Sequence, residues 1–128
     1  MTKVFYNKLV RDGIQAKIEA NGEACVVRVL TDDNEYQQEL LKKVQEEARA
    51  LAMVTSREEF LDEYADLMVV LDALTAELEV TEAEIKVAMT ENVTRKGLYK
   101  SRHFLHWSDA TRPDGTQYTS NETTQGIK

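Results

Sequence analysis

Apolar residues recur at helical spacing through the middle of the chain. From Glu35 to about Met53 they fall at Leu40, Leu41, Val44, Ala48, Leu51 and Ala52, the three-and-four spacing of one helix face. Thr31-Asp32-Asp33-Asn34 offers several N-caps just before it. After a short connection around Val54-Thr55, Ser56-Arg57-Glu58-Glu59 has the form of a capping box and opens a second long helix, to about Leu78. A second capping box, Thr81-Glu82-Ala83-Glu84, opens a helix through Ile85, Val87, Ala88 and Met89 to about Val93. Ahead of these, residues from about Lys8 to Ala20 predict a short helix ended by Asn21-Gly22. The β-branched run Cys25 to Leu30 predicts a strand, and His103 to Trp107 a short closing strand.

Polar residues interrupt this pattern where they are least expected. A helix turns about 100° per residue. On that count Glu47 falls among Leu40, Val44 and Leu51, and Glu63 among Phe60, Leu67, Val70 and Leu74. Asp66 falls beside Val70 and Ala73. An unpaired carboxylate on an apolar face is costly unless a cation meets it. The short connection predicts antiparallel packing, which brings Glu46 and Glu47 back beside Glu63 and Asp66. Hard oxygen ligands on neighbouring helices suit Mg²⁺, with Mn²⁺ as the alternative. The competing reading is ordinary surface acid: Glu is a good helix former, and Glu58, Glu77, Glu79 and Glu82 read as solvated surface.

Composition narrows the partners. The 128 residues make one domain's worth of chain. A net charge of −7 argues against binding a nucleic-acid polymer through its backbone, yet a bound divalent ion would still let a small anion approach. Cys25 is the only cysteine, so no internal disulfide forms, and it reads as packing. No signal-peptide pattern opens the chain, and the longest apolar block, Leu67 to Leu71, is far too short to span a membrane. A reduced, cytoplasmic setting is expected. From Ser108 onward polar residues dominate, with a turn signal at Pro113-Asp114-Gly115, so 1–107 reads as the folded domain and 108–128 as a polar tail.

Basic residues stand out against this acidic background. Lys8 and Arg11 read either as helix-start surface charge or as phosphate contacts. Arg95, Lys96, Lys100 and Arg102 read either as a solvated helix end or as a grip on a triphosphate. Asn7 and Asp12 either read a base or sugar or cap a helix, capping being preferred for Asp12. Trp107 and Tyr99 read as packing before base stacking. His103 and His106 have no third His or Cys nearby, which argues against zinc. No phosphate-cradling glycine loop is present.

Four stretches carry a family resemblance. Tyr6-Asn7-Lys8-Leu9-Val10-Arg11-Asp12, Lys43-Val44-Gln45-Glu46-Glu47, Glu63-Tyr64-Ala65-Asp66-Leu67 and Arg95-Lys96-Gly97-Leu98-Tyr99 resemble motifs of the all-α NTP pyrophosphatase superfamily, which contains MazG-like proteins and phosphoribosyl-ATP pyrophosphohydrolases. The likeness spans about Tyr6 to Trp107. It implies cleavage of a nucleotide between the α and β phosphates. It further implies Mg²⁺ on Glu47, Glu63 and Asp66, Glu46 and Glu47 in catalysis, and Asn7, Lys8, Arg11 and Arg95 on the substrate. Ala50 stands where the first motif has its second Glu, with Glu46 or Glu59 as possible substitutes; Gln15 and Lys96 are further departures. Ala50 also motivates a second reading, a nucleotide-binding or scaffolding bundle without catalysis, and a pure assembly module is a third.

The expected fold is mostly α: an antiparallel helical bundle with a small β element. Its helices are too few to close a core alone, so a homodimer or homotetramer is expected to complete it.

Overall fold

The structure is a computed structural model and describes residues 2–116. Among them are four helices: α1 (Ile14–Ala20), α2 (Asp33–Ala52), α3 (Arg57–Glu77) and α4 (Glu82–Lys96). The chain divides into two compact units, Met1–Thr81 and Glu82–Lys128. The first holds α1 to α3, and the second begins with α4. No helix among the described residues is long and apolar enough to cross a membrane.

Local chemistry fixes both ends of the α2–α3 hairpin. Asp32 caps α2 by accepting a hydrogen bond from the Glu35 amide at 3.0 Å. Ser56 caps α3 in the same way, accepting from the Glu59 amide at 3.1 Å. The Glu59 carboxylate turns back to accept from the Thr55 amide at 2.9 Å and the Thr55 hydroxyl at 3.2 Å. These bonds satisfy amide groups that the first turn leaves orphaned.

The two helices run antiparallel. At one end Gln37 of α2 donates to Glu77 of α3 at 3.5 Å; at the other, Glu47 lies beside Glu63. Glu77 is therefore half-buried against α2 and is not solvated surface, contrary to the sequence expectation. Leu40, Val70 and Leu74 are buried between the helices, with Leu9, Tyr36, Val44, Leu67 and Ala73 packed around them. Burial of each such side chain contributes about 1.5–3 kcal/mol.

The first helix is shorter than the sequence predicts. It begins at Ile14, not near Lys8, and Gly13 caps it without any side-chain bond. Asp12 therefore does not cap it. Ahead of Gly13 the chain is an irregular strap, bent at Asn7, whose φ is +46°. Asn accepts that left-handed conformation better than most residues.

No β-strand forms among the described residues. Cys25–Leu30 is tied down by its side chains: Arg28 donates to both Glu35 carboxylate oxygens, at 3.0 and 2.8 Å. Val26 is fully exposed. A β-branched run becomes a strand only with a ladder partner, and it has none among the described residues. Nor does His103–Trp107 form a strand among them, and there Phe104 packs edge-on against His106 at 5.2 Å. Tyr99 and Trp107 are exposed, which removes a core role for them within the chain. Residues 117–128, most of the expected polar tail, lie outside the described residues.

Shortening Leu74 to Ala is expected to cost about 2–5 kcal/mol of stability. Removing the Ser56 hydroxyl (Ser56→Ala) is expected to cost about 1 kcal/mol. Urea unfolding followed by far-ultraviolet circular dichroism measures both, and a reversed order would contradict the central role given to the α2–α3 core.

Candidate metal centre

The hairpin brings three carboxylates to one spot. An oxygen from each of Glu47, Glu63 and Asp66 lies within 4.8 Å of the others, and all three residues are half-buried. Glu47 reaches the spot from α2, and Glu63 and Asp66 reach it from adjacent turns of α3. Oxygens sharing one Mg²⁺ lie roughly 3–4 Å apart, given bonds of about 2.1 Å. A small rotamer adjustment would close the triad to that spacing. The all-oxygen donor set, open on one side to solvent, fits a hard ion that keeps some of its water. The triad supplies three protein ligands.

Cations surround the triad unevenly. Lys43 Nζ, the least exposed of them, meets Glu46 at 2.7 Å and Glu47 at 3.7 Å. Lys8 Nζ meets the other Glu46 oxygen at 2.7 Å. Arg11 Nη1 lies 3.5 Å from Asp66. Three cations thus face four carboxylates, and among the described residues none comes within ion-pair reach of Glu63.

The titration behaviour reflects this pattern. Glu63 is pushed above the ordinary carboxylate range, first by desolvation and then by the charges of Asp66 and Glu47. Glu46 is held below that range by its hydrogen bonds to Lys43 and Lys8. Lys8 is raised in turn by its bond to Glu46.

A cleft of about 690 Å³ runs past these groups. The strap supplies one wall through Lys8, Arg11 and the start of α1. Lys43, Glu46 and Glu47 of α2 and Asp66 of α3 supply the other. The cleft mixes acid and base, as a site for a metal together with an anion requires.

The residues singled out in the sequence divide into three groups. Glu46, Glu47, Asp66, Lys8 and Arg11 line the cleft, and Glu63 joins the triad at its side. Asn7 does not line the cleft; its backbone makes the bend that leads into the strap. Arg95 sits in the last turn of α4, in the second unit. Glu59, a possible substitute at the Ala50 position, is committed to Thr55, and Glu46 is committed to the two lysines. Neither belongs to the triad. Lys43 was not among the expected site residues, yet it bridges the α2 acids. Its signal was present: it precedes Glu46 by three residues and Glu47 by four, which is one face of a helix.

No protein-family model matches this chain, and neither a curated protein nor a solved structure matches it.

The raised Glu63 has a consequence for stability. Its folded pKa lies above its unfolded one, so ionising it opposes folding. That penalty is absent below the ordinary carboxylate range and grows as pH rises through the window up to the raised value. In chelator, Glu63→Gln is therefore expected to melt at a higher temperature than the wild type at about pH 7.5. The gap is expected to close by about pH 4. A lower melting temperature for the variant at both pH values would contradict the electrostatic account.

Proposed function

We propose that this protein is a Mg²⁺-dependent nucleotide pyrophosphohydrolase, cleaving a nucleoside triphosphate, or a phosphoribosyl-ATP-like nucleotide, between its α and β phosphates. The observation that carries the reading is the triad of Glu47, Glu63 and Asp66, uncompensated at Glu63, beside a cleft that also presents Lys8 and Arg11. The motif resemblance to MazG-like and phosphoribosyl-ATP pyrophosphohydrolases supplies the reaction.

The three carboxylates hold Mg²⁺, or Mn²⁺ in its place. When bound, the ion supplies neutralisation of phosphate charge and acidification of a nearby water. Lys8 and Arg11 orient the phosphate chain along the cleft. By the resemblance, Asn7 is a further substrate contact. The water oxygen bonds to the α phosphorus as the bridging oxygen leaves with pyrophosphate. The water's proton passes to a carboxylate of the α2 pair. Glu47 is committed to the ion, so Glu46 is the α2 carboxylate left to accept it; its bonds from Lys43 and Lys8 keep it ionised and fix those lysines at the cleft wall. Such reactions depend mainly on placement and charge stabilisation.

The working form is a homodimer or homotetramer. The α3 helix carries a second apolar stripe (Phe60, Leu61, Tyr64 and Met68) beside the one it packs on α2, and these residues are exposed in the single chain. Phe60 and Tyr64 stack on each other at 5.8 Å within it. A helix apolar on two faces is built to be covered on both. A second copy covers the stripe.

Ala50 favours one competing reading, a nucleotide-binding scaffold without catalysis, since by the resemblance a second metal-binding Glu of α2 belongs at that position. A panel of nucleotides with Mg²⁺, scored for pyrophosphate, separates the two. Hydrolysis is expected, and Glu63→Gln and Asp66→Asn are expected to reduce it by roughly 100-fold or more, the scale of losing one electrostatic stabiliser. Nucleotide binding with no pyrophosphate released, even in Mn²⁺, would establish the scaffold instead. In sedimentation, the wild type is expected to exceed the monomer mass at micromolar concentration and Tyr64→Glu to fall towards it. A wild-type monomer would overturn the assembly.

A further inference from the structure

The basic side chains of the cleft are not equally committed to their acidic partners. Lys8 and Glu46 form a short hydrogen-bonded pair at 2.7 Å, and Glu46 lies outside the triad. Arg11 and Asp66 are 3.5 Å apart, with their side chains 56% and 38% exposed, and no hydrogen bond joins them. A pair of that kind, in high dielectric, holds its partners only weakly. Yet Asp66 belongs to the triad, so Arg11 and a divalent ion address the same carboxylate. Arg11 uses one guanidinium nitrogen on Asp66, and this is its only ion pair among the described residues. The planar fork therefore keeps donors free for a second acceptor.

The backbone around Arg11 is better fixed than its side chain. Leu9 packs against the α2–α3 core two residues before it. The Arg11 carbonyl accepts from the Ile14 amide at 3.1 Å, joining the strap to α1. The side chain can thus change partners while its point of attachment stays beside the cleft.

We infer that Arg11 is an exchangeable counterion. It neutralises Asp66 in the ion-free protein and moves to the phosphate oxygens of the substrate when a divalent ion takes Asp66. This rests on the triad reading above and adds to it a coupling between the two ligands. The ion releases the guanidinium that the phosphate chain needs, so each ligand favours the other, and by linkage the effect is reciprocal. Lys8 has no part in the exchange, because its acceptor Glu46 is not a ligand.

Removing Arg11 therefore acts in opposite directions on the two ligands. With one competitor for Asp66 gone, Arg11→Gln is expected to bind Mn²⁺ alone about two- to fivefold more tightly than the wild type. In excess Mg²⁺ it is expected to bind inorganic tripolyphosphate roughly tenfold or more weakly, since a charge-assisted grip is lost. Arg11→Lys, which keeps the charge, is expected to leave Mn²⁺ affinity within about twofold of wild type. Isothermal titration calorimetry reads all of these without turnover, and circular dichroism checks that each variant keeps its helices. If Arg11→Gln leaves Mn²⁺ affinity unchanged or weakens it, while Glu63→Gln abolishes it, the exchange is wrong and the triad stands. If the wild type binds no Mn²⁺, the triad itself is wrong and the exchange falls with it.

Discussion

The antiparallel contact of α2 with α3 is the constraint on which the site depends. Three buried side chains, Leu40, Val70 and Leu74, fix the relative rotation of the two helices. Once that rotation is fixed, Glu47 on one helix and Glu63 and Asp66 on the other are presented to the same spot. A core this small places the acids at low energetic margin. Like charges within 4.8 Å oppose the packing that holds them. The surrounding lysines and arginine offset much of that repulsion, and Glu63 keeps the remainder. Strain of this kind is characteristic of sites that await a ligand.

The electrostatic layout also assigns different duties to similar groups. Glu46 and Glu47 are neighbours in sequence, but a helix turns them about 100° apart. Glu46 takes short bonds from Lys8 and Lys43; Glu47, with Lys43 at 3.7 Å, faces the α3 acids. Adjacent acids thereby separate into an anchor for the cleft's lysines and, in the proposed function, a ligand for a metal. The strap enters the same scheme from the other side. It brings two basic residues to an acidic cleft, which would otherwise repel a polyphosphate.

Much of this was legible in the residues because helical periodicity is rigid. The angular positions of Glu47, Glu63 and Asp66 come directly from 3.6 residues per turn, and the short 53–56 connection admits only antiparallel neighbours. Asp32 and Ser56 were readable as caps for the same local reason. The misreadings come from features that local sequence does not determine. Cys25–Leu30 has strand-like residues, but a strand is defined by its partner, and a side-chain clasp between Arg28 and Glu35 holds the segment instead. The stretch from Lys8 to Gly13 resembles a helix start, yet Leu9 is drawn to the core and Asn7 bends the chain ahead of it. Glu59 is turned towards Thr55 by its cap bonds, which spacing alone does not show. Lys43 belongs to the legible part: it stands three and four residues before Glu46 and Glu47, on the same helix face.

The most direct measurement is crystallographic: crystals soaked in Mn²⁺, with an anomalous difference map calculated near the manganese edge. A single strong peak about 2.2 Å from oxygens of Glu47, Glu63 and Asp66 is the predicted result. Manganese elsewhere on the protein, or the three carboxylates turned apart with no peak between them, would contradict the account.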